Sequence, residues 1–261
     1  MNTRKKLYSI AVLLLAIFMF GCSSSDNPLS FTEGTSTPTT PTKPSTPTDP
    51  TPDPVVFGSV TIGTQVWMAK NLNVTTYRNG DPITHAETAD QWMNAASKGE
   101  GAWCYYENDT ETGKVYGILY NWYAVIDPRG LAPAGWHLPS DADWQTLEKY
   151  LGLNPDDAEL CLQYRGINQG GKLKEHGTSH WASPNMLGTE EDSGFNALPA
   201  GYRTEAGAFT SLGNLARIWT TNNCPIDPVQ GVIREMSYSE SAVYRGGSPK
   251  GSGLSVRCIK D

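Results

Sequence analysis

The sequence predicts an α+β fold built from twisted antiparallel sheets, two or three helices and long connecting loops. Three observations carry that expectation. Helical signals gather before residue 152, strand-like runs dominate beyond Gly166, and glycine is spread throughout residues 55–261. Helices in one part and strands in another fit an α+β arrangement better than alternating βα units. Frequent glycine marks turns at positive φ.

Taken in order, residues 56–62 and 65–68 are strand-like runs around Gly63-Thr64, which predicts strand, tight turn and strand. Residues 88–98, closed by Gly99, predict a short helix, and residues 101–106 a strand. Tyr116, Leu119, Tyr120 and Tyr123 fall at helical spacing, which predicts a core helix reaching Val125. Ser140 is placed to cap a helix, and Asp141 and Asp143 suit its positive end. Trp144, Leu147 and Leu151 line one face of it, and Gly152 stops it. Strands are predicted over residues 218–221, 232–239, 242–245 and 254–259. Trp67, Trp103, Trp122, Trp136 and Trp144 are assigned to the core.

Ahead of this unit lie two other materials. Residues 1–21 open with Arg4, Lys5 and Lys6 and continue in a 14-residue apolar run ending before Gly21-Cys22. That pattern predicts a secretory signal peptide. The run is short for a membrane span, which needs about 20 apolar residues. Gly21-Cys22 resembles the lipobox of bacterial lipoproteins, which implies that Cys22 is lipidated and anchors the mature chain. In residues 23–54, 23 of 32 positions are Ser, Thr or Pro. Such a segment cannot bury a core, so residues 22–54 are expected to be a disordered stalk. The chain carries net charge −7, and no basic cluster lies beyond its first residues, which argues against nucleic-acid binding.

Cys104, Cys161, Cys224 and Cys258 remain once Cys22 is assigned to lipid. Four cysteines in an exported chain admit three pairings. Strand-like surroundings favour Cys104 with Cys258, leaving Cys161 with Cys224; buried free thiols are the alternative. Glu190, Glu191 and Asp192 offer oxygen ligands for a candidate calcium site, against a solvated acidic loop. Otherwise no cofactor is expected. His176 and His180 lack the glutamate of a zinc-protease motif. Ser183-Pro184-Asn185 keeps only part of the Glu-Pro-Asn signature of calcium-dependent lectins. Trp181, Tyr202, Trp219 and Tyr238, with Asn185, Arg203, Asn222 and Asn223 nearby in sequence, are the candidate ligand-binding residues. Aromatic faces beside amide and guanidinium groups suit sugars and peptides.

Five blocks occur in order: Gly101-Ala-Trp-Cys-Tyr-Tyr-Glu-Asn-Asp109, Tyr116-Gly-Ile-Leu-Tyr-Asn-Trp-Tyr-Ala-Val125, Gly135-Trp-His-Leu-Pro-Ser-Asp-Ala-Asp-Trp144, Gly194-Phe-Asn-Ala-Leu-Pro-Ala-Gly-Tyr-Arg203 and Ser255-Val-Arg-Cys-Ile-Lys-Asp261. Together they resemble the Fibrobacter succinogenes major paralogous domain, over about residues 57–261. The resemblance implies an exported lipoprotein of Bacteroidetes or Fibrobacter relatives, set at the outer membrane or cell surface, with no settled reaction. A more distant resemblance links His137-Leu-Pro-Ser-Asp-Ala-Asp-Trp-Gln145, Tyr244-Arg-Gly-Gly-Ser248 and Leu254-Ser-Val-Arg-Cys258 to formylglycine-generating enzymes. It implies a C-type-lectin-like architecture. Those enzymes carry their catalytic cysteines between the last two blocks, where this chain has none.

The resulting expectation is a lipid-anchored, surface-displayed, non-catalytic binding or adhesion domain for a glycan or extracellular protein. A structural subunit of a surface filament or polysaccharide-handling complex, and a divergent enzyme of the formylglycine-generating-enzyme fold, stand as alternatives.

Overall fold

The computed structural model describes residues 57–261. The expected signal peptide at 1–21, the expected lipidation at Cys22 and the expected stalk at 22–54 all lie outside the described residues. In chain order the first elements are β1 (Ser59–Ile62), β2 (Gln65–Met68), β3 (Thr84–His85), α1 (Ala89–Lys98), β4 (Ala102–Cys104) and α2 (Thr110–Tyr116). Then come β5 (Leu119–Tyr120), α3 (Trp122–Val125), β6 (Trp136–His137), α4 (Asp141–Tyr150), β7 (Gln163–Arg165) and α5 (Gln169–Leu173). The rest is β8 (Ala200–Arg203), β9 (Phe209–Leu212), β10 (Leu215–Asn223), β11 (Gln230–Ser237), β12 (Val243–Pro249) and β13 (Ile259–Lys260). No helix among them is long and apolar enough to cross a membrane.

Three sheets result. The first has order β1-β2-β13-β6, so the end of the chain pairs with its opening hairpin. Gly63, at φ 61, makes that hairpin's turn without the penalty a Cβ would meet. The second and largest has order β7-β12-β11-β10-β8-β9, with one parallel contact between β10 and β8. The third, β3-β4-β5, is small.

Local chemistry explains the two longer helices. Thr88 caps α1 in a reciprocal box with Gln91, and Gly99 ends it in the left-handed conformation. Ser140 and Asp143 form the same box on α4. Trp144 and Leu147 are fully buried from that helix, and Leu151 follows them inward. The helix predicted from Tyr116 to Val125 does not form as one piece. Gly117, at φ 80, ends α2; Leu119 and Tyr120 pair with β4; and Asn121 caps the single turn of α3. Ile118, Leu119 and Tyr120 are all buried, so the apolar spacing reflects enclosure on every side rather than one helical face. Residues 254–258 likewise run extended through the interior on isolated bridges, to Tyr120 and Ile218, before β13 begins. The five assigned tryptophans are core residues, and the other three, Trp92, Trp181 and Trp219, join them.

Candidate functional site

Four of the eight sequence-chosen ligand residues are interior groups. Trp181 is 2% exposed and donates its Nε1 hydrogen to Ala197 O; Trp219 is 1% exposed and donates to Tyr120 O. Arg203 is buried between the rings of Trp92 and Phe209. Its guanidinium donates to the carbonyls of Ala86 (2.6 Å), Glu87 (2.9 Å) and Gly207 (3.0 Å). Asn185 is buried and donates to the Glu175 and Gly177 carbonyls. These groups serve the fold: long loops leave carbonyls without partners, and each must find a donor. Tyr202 is half-buried beneath Arg217, Tyr238 packs on the core, Asn222 accepts a bond from the Asp141 amide, and Asn223 is exposed.

Two further buried cations follow the Arg203 pattern. Lys174, with no exposed surface, donates to the carbonyls of Met186 (2.7 Å), Ser237 (2.7 Å) and Glu240 (2.9 Å). Burial pulls its ammonium down to about 8, against the opposing charge of Glu240. Arg257, within the Ser-Val-Arg-Cys block, donates to Phe195 O and to Asn71 Oδ1. Burial lowers it to about 9.

At the junction of α4 with the large sheet the partners are carboxylates instead. Glu148, fully buried, takes Arg165 at 2.7 Å and Arg234 at 2.7 Å. Asp141 takes Arg234 at 2.7 Å and Arg245 at 2.6 Å. Burial alone would raise the Asp141 carboxyl, but the hydrogen bond from Arg245 and the charge of Arg234 prevail and hold it well below the carboxylate range. Sequence reading placed Asp141 only at a helix end. The available signal was Arg234 and Glu235 standing between Ile233 and Met236 in a strand-like run.

The acidic loop is not arranged for calcium. Glu191 pairs with Lys172 at 2.6 Å, and Lys172 also donates to Leu151 O. Asp192 accepts a bond from the Gly194 amide, and Glu190 is exposed. An ammonium therefore already neutralises one of the three carboxylates. Among the described residues no three His, Cys, Asp or Glu converge as metal ligands. His180 instead bonds Glu175, at 2.8 Å.

The cysteines also depart from expectation, since all four are free thiols. Cys104 and Cys258, expected to pair, are fully buried in different core clusters. Cys161 is half-buried and Cys224 is buried.

One open hollow is a groove of about 580 Å³ between α1, α3 and the Pro249-Lys250-Gly251 segment. Met93, Tyr123, Glu205, Val229 and Gln230 complete its principal lining, and none of the eight sequence candidates takes part. Its wall is held firmly. Trp92 donates its Nε1 hydrogen to Gly251 O at 2.7 Å, and the Trp122 amide donates to Lys250 O at 3.0 Å. Gly251 is squeezed between Ala96 and Glu205, where a Cβ would come within 3.2 Å of each. Lys250 Nζ lies 4.3 Å over the Trp122 ring and donates to Pro228 O. The Trp122 Nε1 beneath has no acceptor. The lining thus combines a phenol, a thioether, an amide, one carboxylate and one ammonium. Sequence reading missed it because its walls come from five separated segments.

Three mostly antiparallel sheets, short helices and a C-terminal strand returned to the first hairpin define a mixed α/β domain with long loops. The model of the Fibrobacter succinogenes major domain matches residues 60–260, and the chain belongs to that family. No curated protein and no solved structure matches the chain.

Proposed function

We propose that this domain is a non-catalytic binding module that takes a glycan or a protein segment in the groove between α1 and the Pro249-Lys250-Gly251 segment. The single observation behind this reading is the lining: amphipathic side chains around a backbone wall fixed by Trp92 and Trp122. Concave sites of mixed character with few, well-placed polar groups suit ligand recognition. Neither cysteine nor histidine lines the groove. Ser97 directs its hydroxyl hydrogen to Asn94 O within its own helix, away from the role of an activated nucleophile.

We further read the architecture as C-type-lectin-like. Its support is that the blocks resembling formylglycine-generating enzymes open α4 and run along β12. The groove occupies the interval where those enzymes carry their cysteines, and Lys250 and Gly251 stand there instead. The N-terminal sequence supports lipidation at Cys22 and display at the outer membrane or cell surface.

The test is a glycan array and a peptide library screened with the full chain, its Tyr123→Ala variant and its Lys250→Glu variant. The expected result is one ligand class retained by the parent and weakened at least ~10-fold by either change, as befits loss of about 1.4 kcal/mol. Failure of the parent on both libraries, or equal binding by all three proteins, would refute the groove as the site.

A further inference from the structure

Beyond the end of α1 lies a separate hollow of about 420 Å³, which shares no lining residue with the groove. Buried Tyr77 and Gly101 line it with Asp127 and Arg129, and exposed Pro82 and Thr84 stand at its rim. Backbone bonds fix these walls. The Tyr77 amide donates to Asp81 O at 2.8 Å and the Gly80 amide to Tyr77 O at 2.9 Å, closing the turn that carries the phenol. The Gly130 amide donates to Asp127 O at 2.9 Å, and Asn121 Nδ2 donates to Glu100 O at 2.8 Å.

The group that singles this hollow out is the Tyr77 hydroxyl. Tyr77 is 2% exposed, and its Oη ends against Gly101, where a Cβ would collide with it. The Arg129 guanidinium lies 4.0 Å over the ring, yet neither it nor Asp127 closes a hydrogen bond to Oη. Arg129 is committed to Asp127 instead, through Nε at 2.9 Å and Nη2 at 2.8 Å. Other enclosed phenols of this domain are partnered: Tyr120 donates to Val74 O at 2.7 Å and Tyr164 to Glu235 Oε1 at 2.6 Å. A buried hydroxyl without a partner weakens the fold, so its retention calls for a partner from outside the chain. Burial pushes the Tyr77 phenol up to about 12, so it keeps its hydrogen and can both donate and accept.

Charge narrows the ligand class. Asp127 and the exposed Glu100 bring two carboxylates, which oppose an anion, while the Arg129 guanidinium opposes a cation. A neutral molecule rich in hydroxyls suits both. Each of its hydroxyls can donate to a carboxylate or accept from the guanidinium, the phenol or Thr84. The Pro82 ring offers an apolar edge to its C–H groups, and the volume is in the range of small-ligand sites.

We propose that this hollow is a second site, independent of the groove, which takes one neutral, hexose-sized polyol and gives it Tyr77 Oη as a buried hydrogen-bond partner. Arg129, 41% exposed, is the side chain that moves aside to admit the ligand hydroxyl.

Saturation-transfer NMR of the full chain with glucose, galactose, mannose and myo-inositol tests this, with glucuronate and glucosamine as charged counterparts. The expected result is binding of at least one neutral compound in preference to both charged ones. Tyr77→Phe should weaken it roughly 3–10-fold, as befits one lost hydrogen bond, and melt no lower than the parent. Thr84→Val, changed at an exposed position, should weaken it as well. Lys250→Glu, altered only in the groove, should bind like the parent. The proposal is overturned if no neutral compound binds or if a charged one binds more tightly. Equal binding by the parent and Tyr77→Phe overturns it too, and so does loss of binding in Lys250→Glu, which would assign the sugar to the groove.

Discussion

The protein buries its cations in two different ways, and the contrast separates two regions of one domain. At the α4 junction, Arg165, Arg234 and Arg245 meet the carboxylates of Glu148 and Asp141. Under the loops, Lys174 and Arg203 hydrogen-bond only to backbone carbonyls, and Arg257 to one carbonyl and one amide oxygen. Carboxylates can be neutralised by acid and carbonyls cannot, so the first region answers to acid and the second does not. The first locks a helix to a sheet. The second gives orphan loop carbonyls the donors that a regular ladder would have supplied.

The largest expected effect lies at Glu148. Its replacement by Ala leaves the enclosed Arg165 without its carboxylate and Arg234 with Asp141 alone, at a cost of about 3–5 kcal/mol in urea-induced unfolding. A loss below about 1 kcal/mol would erase the distinction between the regions.

Asp141→Asn comes next, at about 2–3 kcal/mol near neutrality, because Arg234 and Arg245 each lose one charged acceptor while Arg234 keeps Glu148. This variant also tests the acid response. The folded Asp141 carboxyl is depressed, so its contribution is complete above the ordinary carboxylate range and disappears as pH falls through its folded value. The parent should lose stability in that window faster than Asp141→Asn. Parallel acid profiles would break the comparison.

Lys174→Met is expected to cost less, about 1–2 kcal/mol, since three carbonyls lose a donor while a buried charge is relieved. Here the pH sign reverses. Below about 8 both folded and unfolded chains hold the proton, and the fold bears the burial. Between about 8 and the ordinary lysine value the folded chain releases it first, so stability climbs. Melting curves across that window should show the parent gaining on Lys174→Met; a constant difference would refute the assignment.

What the sequence made legible was whatever is decided within a few residues. Thr88 with Gln91, Ser140 with Asp143, and Gly99 mark helix ends by chemistry that needs no distant partner. The first hairpin is equally local. Legibility failed where the interior surrounds the chain. Ile118, Leu119 and Tyr120 are buried whichever conformation they take, so their spacing carried no information about the strand that Leu119 and Tyr120 form. Trp181 and Arg203 illustrate the same difficulty at the level of sites. An aromatic beside a polar residue reads identically whether it faces a ligand or closes over loop carbonyls. The groove was beyond reach for a different reason, since contacts such as Trp92 with Gly251 span 159 positions.

The ammonium of Lys250 resting on Trp122 gives the molecule an optical handle of its own. A guest that lifts that charge away changes the local field on Trp122, the indole on which Lys250 rests. Intrinsic emission of the unlabelled protein then becomes a titration signal for occupancy, and Trp122→Phe is the variant that silences it.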